Sequence, residues 1–266
     1  MLSRKEKRQL RTFAEETARG AGKLLRRGFM RSKKVTLKGR IDPVTQYDLK
    51  SEKYITSRIR RSWPDHDILT EEGNSKRSES AFCWVIDPLD GTVNYAHGFP
   101  VYCVSIGLQY NERPVLGAVY DPERNEMFSA AVGMGASLNG RRIGVSSERR
   151  IERALLATGF AYNIGTAERN NLGLFARMAK LAQGVRRPGS AAIDLCWLAA
   201  GRIDGFWELY LHPWDTAAAV VIVEEAGGEV TQINGRPYSI FDDDLLAANA
   251  GLRRTMQAAL SPADRT

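Results

Sequence analysis

The stretch Trp84-Val85-Ile86-Asp87-Pro88-Leu89-Asp90-Gly91-Thr92 constrains this chain more than any other. The apolar run over residues 82–86 predicts a buried strand that carries Asp87 at its end. Pro88 lacks an N–H and has a fixed φ, so it is expected to stop that strand. Asp90 comes three residues after Asp87, and Gly91-Thr92 opens the next element. Two carboxylates at a strand end, followed at once by a glycine and a hydroxyl, suit a divalent cation beside a phosphate. Mg²⁺ takes oxygen ligands and commonly shares them with substrate phosphates. Backbone N–H groups at a turn or helix start supply the complementary anion cradle.

The flanking segments predict a mixture of helices and strands. Leu10, Phe13, Ala14, Thr17, Ala21, Leu24 and Leu25 recur at helical spacing and give an N-terminal helix its core face. Residues 33–40 read as a short extended or loop segment, and Asp42-Pro43-Val44-Thr45 as a turn into a helix over 47–61. Residues 68–70 form a short strand that ends at Glu71-Glu72. Turn residues then separate 102–109, 115–120 and 126–131, the pattern of an antiparallel meander. Beyond it come a strand at 154–158, helices at 168–182 and 191–200, a strand at 203–208, a helix at 216–226, a strand at 245–248 and a terminal helix. No regular βαβ repeat emerges. The expected class is therefore α+β, sheets covered by helices in layers, as one domain over residues 1–266 with two halves meeting near residue 150.

Bulk properties exclude several classes. No stretch approaches the ~20 apolar residues needed to span a bilayer, and the basic N-terminus lacks the apolar core of a secretory signal. Cys83, Cys103 and Cys196 are odd in number, scattered and set in apolar runs, so they read as buried hydrophobes in a reducing, cytoplasmic compartment. His66, His97 and His212 show no metal-ligand spacing. The net charge of +7 is uneven, since residues 1–40 carry 14 Lys and Arg against 3 Glu. That bias reads first as the solvated face of the N-terminal helix; nucleic-acid binding is the alternative, with little aromatic interleaving to support it.

Five carboxylates share one grammar: each ends a short apolar strand or opens a helix. Asp48 begins the second helix, Glu71 ends the strand at 68–70, Asp87 and Asp90 flank the proline, and Asp215 falls at the expected N-cap of the helix at 216–226. Any one alone is an ordinary cap or a solvated acid. Together they would repel and raise one another's pKa values unless cations joined them. Three Mg²⁺ would contribute +6 against −5 and leave room for a phosphate monoester, and the expected cofactor is two to three Mg²⁺ per site. Uncatalysed hydrolysis of such esters is slow enough that enzymes accelerate it by up to ~10²¹-fold, about 29 kcal/mol. Neutral hydrogen bonds at roughly 1 kcal/mol each cannot supply that, whereas metal activation of water and of the leaving oxygen can.

At this point the order of motifs is recognisable. Residues 84–95 with Phe99-Pro100 resemble the first signature of the inositol monophosphatase family, and Trp214-Asp215-Thr216-Ala217-Ala218-Ala219 through Glu225-Ala226-Gly227-Gly228 its second. Asp42-Pro43-Val44-Thr45-Gln46-Tyr47-Asp48 resembles the family's Asp-x-Val-Thr-x-x-Asp element. Gly189-Ser190-Ala191-Ala192 and the segment 201–208 follow in the family's order. The resemblance spans essentially the whole chain. It implies the layered αβαβα sugar-phosphatase fold, Mg²⁺ dependence, lithium sensitivity and a homodimer.

Matched position by position, the resemblance implies roles. Glu71, Asp87 and the Leu89 carbonyl would hold a first metal; Asp87, Asp90 and Asp215 a second; Glu71 with waters a third. Thr92, with Asp48 behind it, would orient and deprotonate the attacking water, and Gly91 and Thr92 N–H groups would bind the phosphate. Ser190, Ala192 and Glu208 would line the alcohol side, Glu208 accepting from substrate hydroxyls. Glu72 stays open between supporting the site and plain exposure. Trp84 and Trp214 read as packing, His97 as a surface residue, and His212 and Arg186-Arg187 are undecided.

The favoured reaction is Mg²⁺-dependent hydrolysis of inositol monophosphate or a similar polyol phosphate. Rivals with the same metal grammar are 3′(2′),5′-bisphosphate nucleotidase, fructose-1,6-bisphosphatase and histidinol-phosphatase. Glu208 and the Gly-Ser-Ala-Ala loop tilt toward a neutral polyol. An RNA-binding protein using the basic N-terminal segment is the reading outside enzymes.

Overall fold

A computed structural model describes residues 2–31, 33–37, 43–73, 75 and 78–261. Asp42 of the third motif and residues 38–40 of the expected extended segment lie outside them.

The first helix, α1 (Arg4–Phe29), starts at Ser3, whose hydroxyl accepts from the Glu6 N–H while the Glu6 carboxylate accepts from the Ser3 N–H. This reciprocal capping box satisfies two donors that a helix start otherwise leaves open. Leu10, Ala14, Ala18, Ala21 and Leu25 are buried along one face, as the spacing predicts. Strands β1 (Val35–Leu37) and β2 (Pro43–Thr45) pair antiparallel, so residues 43–45 of the expected turn are instead a short strand. Pro43 is its first residue, where no ladder donor is needed. Helix α2 (Gln46–Ser62) follows directly.

A seven-stranded sheet comes next: β3 (Asp67–Thr70), β4 (Phe82–Asp90), β5 (Cys103–Tyr110), β6 (Arg113–Asp121), β7 (Glu126–Ala131), β8 (Ala136–Leu138) and β9 (Arg141–Arg142) lie in that spatial order. Only β3 and β4 pair parallel; the rest is a meander, with the short helix α3 (Thr92–His97) inserted after β4. Strand β4 does not stop at Pro88. It runs on to Asp90, and its pairing with β5 skips from Asp87 to Asp90. The missing proline N–H falls within this irregularity, where the ladder does not need it.

The second half builds a five-stranded sheet from β10 (Leu155–Thr158), α4 (Leu172–Leu181), β11 (Gly184–Arg186), α5 (Ala191–Ala199), β12 (Gly205–Leu209), α6 (Pro213–Glu225), β13 (Glu229–Thr231), β14 (Asp244–Ala248) and α7 (Ala250–Leu260). The strand order is β11-β10-β12-β14-β13. Helix α4 is shorter than the expected 168–182 and starts after Asn171.

Three clusters of buried side chains define the layers. Leu10, Ala14 and Leu25 of α1 and Ile55 and Ile59 of α2 pack on one face of the first sheet through Ile86, Val104, Ile106 and Leu116. Val119, Phe128 and Ala130 of its other face meet α5 and α6, which also cover Ala157, Phe206, Leu245 and Ala247 of the second sheet. The alternate residues Leu156, Trp207, Leu209 and Leu246 face Met178, Leu252 and Met256 on α4 and α7. The period-2 alternation of β12 and β14 thus feeds two helical layers, and the fold is αβαβα. Both α5 and α6 are buried nearly all round, which suits the middle layer. Helix α6 approaches the first sheet closely because Gly117 stands opposite it; a Cβ there would lie 2.0 Å from the Ala218 carbonyl oxygen.

Candidate active site

The site gathers where β4 leaves the first sheet and α5 and α6 begin. The irregular pairing turns the chain between Asp87 and Asp90, and the Leu89 N–H donates to Asp87 Oδ1 at 2.9 Å. The Ser51 hydroxyl of α2 holds the Pro88 carbonyl at 2.7 Å. Gly91 then takes φ +88, which a side chain disfavours, and a Cβ there would lie 2.8 Å from the Val101 carbonyl oxygen. Gly91 is the N-cap of α3, so the expected glycine-hydroxyl pair sits at a helix start.

Asp48 and Thr92 meet as the resemblance implies. Thr92 Oγ1 lies 3.1 Å from Asp48 Oδ1 and 2.9 Å from the Leu89 carbonyl oxygen, and can donate to either. Asp48 is 1% exposed. Its Oδ2 accepts from the Thr45 N–H at 2.9 Å and the Thr45 hydroxyl at 2.5 Å, the capping box of α2. Burial raises the Asp48 pKa, and the bonds from Thr45 and Thr92 work against that rise.

Asp90 Oδ2 accepts from Ser190 Oγ at 2.6 Å and from the Ala192 N–H at 2.8 Å, which ties β4 to the start of α5. Ser190 and Ala192 therefore touch a carboxylate rather than merely lining a wall. The Cys103 thiol also leans on Asp90 at 3.8 Å. Burial and then the nearby Asp215 charge push Asp90 up to about 7. Asp87 is pushed well above the carboxylate range by burial, then by Glu71, Asp90 and Asp215. Those mutual effects bring Glu71, Asp87, Asp90 and Asp215 into one electrostatic neighbourhood.

Asp215 departs from expectation in detail. Helix α6 begins at Pro213, three residues earlier than its continuous apolar run suggests, so His212 is the N-cap and Asp215 the third helical residue. Its Oδ2 accepts from the His212 N–H at 2.7 Å. Pro213 suits the first helical position because that N–H has no helical partner.

Among the described residues, no three Asp, Glu, His or Cys side chains already converge tightly enough to chelate one ion outright. Mg²⁺ rarely needs such a cage: it is usually bound by one or two carboxylates, waters and substrate phosphates. A set of hard oxygen donors whose like charges raise one another's pKa fits that ion.

Glu208 projects from β12, 9% exposed, against Gly159, where a Cβ would lie 2.0 Å from Glu208 Oε1. Burial, then the Asp215 charge, raise it to about 8, and Arg187 opposes the rise. Behind it Asn171 Nδ2 donates to Thr158 Oγ1 and the Gly159 carbonyl while its Oδ1 accepts from Trp207 Nε1, all at 2.7 Å.

One residue escaped sequence reasoning. Asp194, in the first turn of α5, is 1% exposed and its Oδ1 has no hydrogen-bond partner among the described residues. Burial and then Glu208 and Asp90 raise its pKa well above normal, against Arg187. A lone acid in an apolar helical run was the available signal. The other undecided residues are placed simply. His97 is exposed at the end of α3, and His212 is exposed and stacked on Trp214. Trp84 is buried, its Nε1 donating to His66 Nδ1 at 3.0 Å, and Glu71 and Glu72 are half-buried. Arg186 and Arg187 are both exposed.

Comparison with known proteins follows the same lines. The model of the inositol monophosphatase family matches residues 6–264. The inositol-1-monophosphatase of Synechocystis sp. is 47% identical over 226 residues, covering 84% of this chain and 79% of its own. Nus factor SuhB of Pseudomonas aeruginosa is 39% identical over 257 residues, covering 94% and 95%. The solved structure of inositol monophosphatase from Anabaena (Nostoc) sp. PCC 7120 superposes with a TM-score of 0.87 at 40% identity, over 95% of each chain.

Proposed function

The chain belongs to the inositol monophosphatase family, and from that premise we propose that it hydrolyses inositol monophosphate, or a closely similar polyol phosphate, with Mg²⁺. The observation that carries this reading is the Thr92–Asp48 contact at the end of the strand that also bears Asp87 and Asp90. In our assignment Glu71, Asp87 and the Leu89 carbonyl hold one Mg²⁺, Asp87, Asp90 and Asp215 a second, and Glu71 a weaker third. When bound, Mg²⁺ supplies Lewis acidity at the phosphoryl oxygens and the departing oxygen.

The chain's own groups do the rest. Gly91 and Thr92 N–H groups at the start of α3 receive the phosphate. Thr92 Oγ1 donates its hydrogen to Asp48 Oδ1, which leaves a lone pair to accept from the attacking water. The water oxygen bonds to phosphorus, the P–O bond to the alcohol breaks, the water proton passes through Thr92 to Asp48, and the alkoxide takes a proton from solvent. Glu208 accepts from hydroxyls of the alcohol.

Phosphate release from inositol 1-phosphate, with and without EDTA, tests the proposal. Activity should vanish with the chelator and in Asp90→Asn. Activity indifferent to both would overturn the metal assignment. A second reading, RNA binding through exposed Lys5, Arg8, Lys23, Arg26 and Arg27 of α1, would replace the first if RNA affinity fell steeply with salt while no Mg²⁺-dependent phosphate release occurred.

A further inference from the structure

We propose that the cleft between α1 and the β7–β8–β9 edge of the first sheet is a second anion site of this protein. It takes a small phosphate, free or esterified, away from the proposed active site.

The cleft has a volume of about 270 Å³, and Arg11, Arg19 and Arg142 line it together with Glu15, Ser129 and Ser137. In the sheet, β8 lies four strands from β4, the strand that ends in Asp87 and Asp90. That separation is roughly 19 Å at the usual strand spacing, so the cleft is no annex of the carboxylate cluster. Its volume falls below the ~300–1,000 Å³ of sites for drug-sized ligands, which suits a ligand of few atoms.

The walls are held in place by the protein itself. Glu225 of α6 accepts from the Gly133, Met134 and Gly135 N–H groups at 2.7, 3.0 and 2.6 Å, which anchors the turn between β7 and β8. Lys7 Nζ of α1 donates to the Val132 carbonyl at 2.8 Å and ties the helix to the same turn. Arg19 donates to the side-chain oxygens of Asn125 and Asn139 at 3.3 and 3.2 Å, and its guanidinium lies 5.1 Å from the centre of the Tyr120 ring. Ser129 Oγ donates to Glu15 Oε1 at 2.6 Å, and Ser137 Oγ lies 3.2 Å from Ser129 Oγ. A site fixed in this way loses little conformational freedom when a ligand enters.

Charge selects the ligand. Three guanidinium groups face one carboxylate, and that carboxylate is already engaged by Ser129. Arg11 Nε approaches Glu15 Oε1 at 3.4 Å, yet it is buried and has no hydrogen-bond partner among the described residues. A buried N–H of this kind calls for an acceptor. The Arg142 guanidinium makes no hydrogen bond or ion pair with a described residue, and its Cζ would lie 3.5 Å from a Cβ on Gly135, where φ is +77. Arg19 keeps donors beyond the two it uses. A carboxylate offers two oxygens, whereas a phosphate offers three or four and can meet separate guanidinium forks at once.

The test is isothermal titration of the full chain, freed of metal by chelator and at low salt, with inorganic phosphate and with glycerol 3-phosphate. Without Mg²⁺ the clustered carboxylates of the proposed active site repel both probes. One saturable site is expected, and Arg142→Gln should weaken it by about 10- to 100-fold, the worth of a charge-assisted contact. Arg142→Lys should retain part of the affinity. Arg141→Gln is the control: neighbours in β9 face opposite sides of the sheet, and Arg141 does not line the cleft. Removing its charge should change Kd by less than about twofold, since an exposed charge at a distance is screened. Tighter binding of glycerol 3-phosphate would identify an esterified phosphate as the occupant, and tighter binding of inorganic phosphate the free ion. Equal weakening by Arg141→Gln and Arg142→Gln would reduce the effect to diffuse positive charge and overturn the inference. So would no binding of either probe, or binding that Arg142→Gln leaves unmoved. None of these outcomes bears on Mg²⁺-dependent phosphate release, so the proposed hydrolysis stands or falls separately.

Discussion

Asp48 shows how a buried acid is kept available for chemistry. Its Oδ2 is saturated by the Thr45 N–H and hydroxyl, so only Oδ1 faces Thr92. Asp48→Asn would turn an NH₂ toward either Thr45 or Thr92 and remove the proton acceptor. The expected result is a kcat lowered by about 10²- to 10⁴-fold with a smaller change in KM, and about 1–3 kcal/mol of lost stability from the mismatched donors. Steady-state kinetics and thermal melts of the variant check both. A variant with wild-type kcat would remove Asp48 from the mechanism. Glu208 makes a prediction of the opposite kind. Its pKa is raised from 4.5 to about 8 by burial and by Asp215, so between those values the unfolded chain is ionised there while the folded one holds a proton. Unfolding then releases a proton, and the Glu208 contribution to stability is full below pH 4.5 and lost as pH rises through 8. Melts of metal-free protein from pH 5 to 8.5 should show wild type losing roughly 7–15 °C more than Glu208→Gln. Equal slopes would contradict the shifted Glu208. The contiguous residues Asp87 to Thr92 were legible because they make their own geometry. Asp194 was not, since its interest lies in an absent partner, which only packing reveals.

Elements were legible where a periodic pattern coincided with one environment, and boundaries were misread where capping or pairing overrode it. The helix at 216–226 looked as if it began after Asp215 because its apolar run starts there, yet Pro213 supplies the earlier start and His212 the cap. Strand β4 looked as if it ended at Pro88 because proline cannot donate, but the skipped pairing makes the missing donor irrelevant. The β8–β9 hairpin was overlooked although Asn139-Gly140 carries its signal, with φ of +48 and +78. The middle helices set a sharper test. With Gly117 opposite the Ala218 carbonyl at a 2.0 Å Cβ distance, Gly117→Ala must push α6 off the sheet and should cost about 3 kcal/mol or more. Gly173, exposed in α4 with open space around it, is the control: Gly173→Ala should be neutral or stabilising by up to about 1 kcal/mol. Denaturant unfolding of both variants gives the comparison, and a Gly117→Ala protein as stable as wild type would refute the close approach.

At the scale of the molecule, the α+β layering followed from intermixed strands and helices without a βαβ repeat, but the order of layers did not. It depends on which faces of β12 and β14 meet which helices, and a single chain gives no such pairing. Among the described residues no helix is long and apolar enough to cross a membrane. The site lies where layers join: Asp87 and Asp90 come from the first sheet, Asp90 is held by Ser190 and Ala192 at the start of α5, and Asp215 belongs to α6. An ion shared by Asp87, Asp90 and Asp215 would therefore relieve their repulsion and bind the sheet to the middle helices at once. Ligand that binds only the folded state stabilises it by about 2.7 kcal/mol at a hundred times its Kd, or roughly 5–10 °C in Tm for a chain of this size. Adding Mg²⁺ to chelator-treated protein at pH 7.5 should raise Tm by that amount. The Asp87→Asn/Asp90→Asn double variant should melt higher than wild type without Mg²⁺, because the cost of burying two acids that raise each other's pKa is gone, and should show almost no further rise when Mg²⁺ is added. If the double variant kept the full Mg²⁺ shift, the stabilising ion would bind elsewhere, and the layer-joining role of these carboxylates would be wrong.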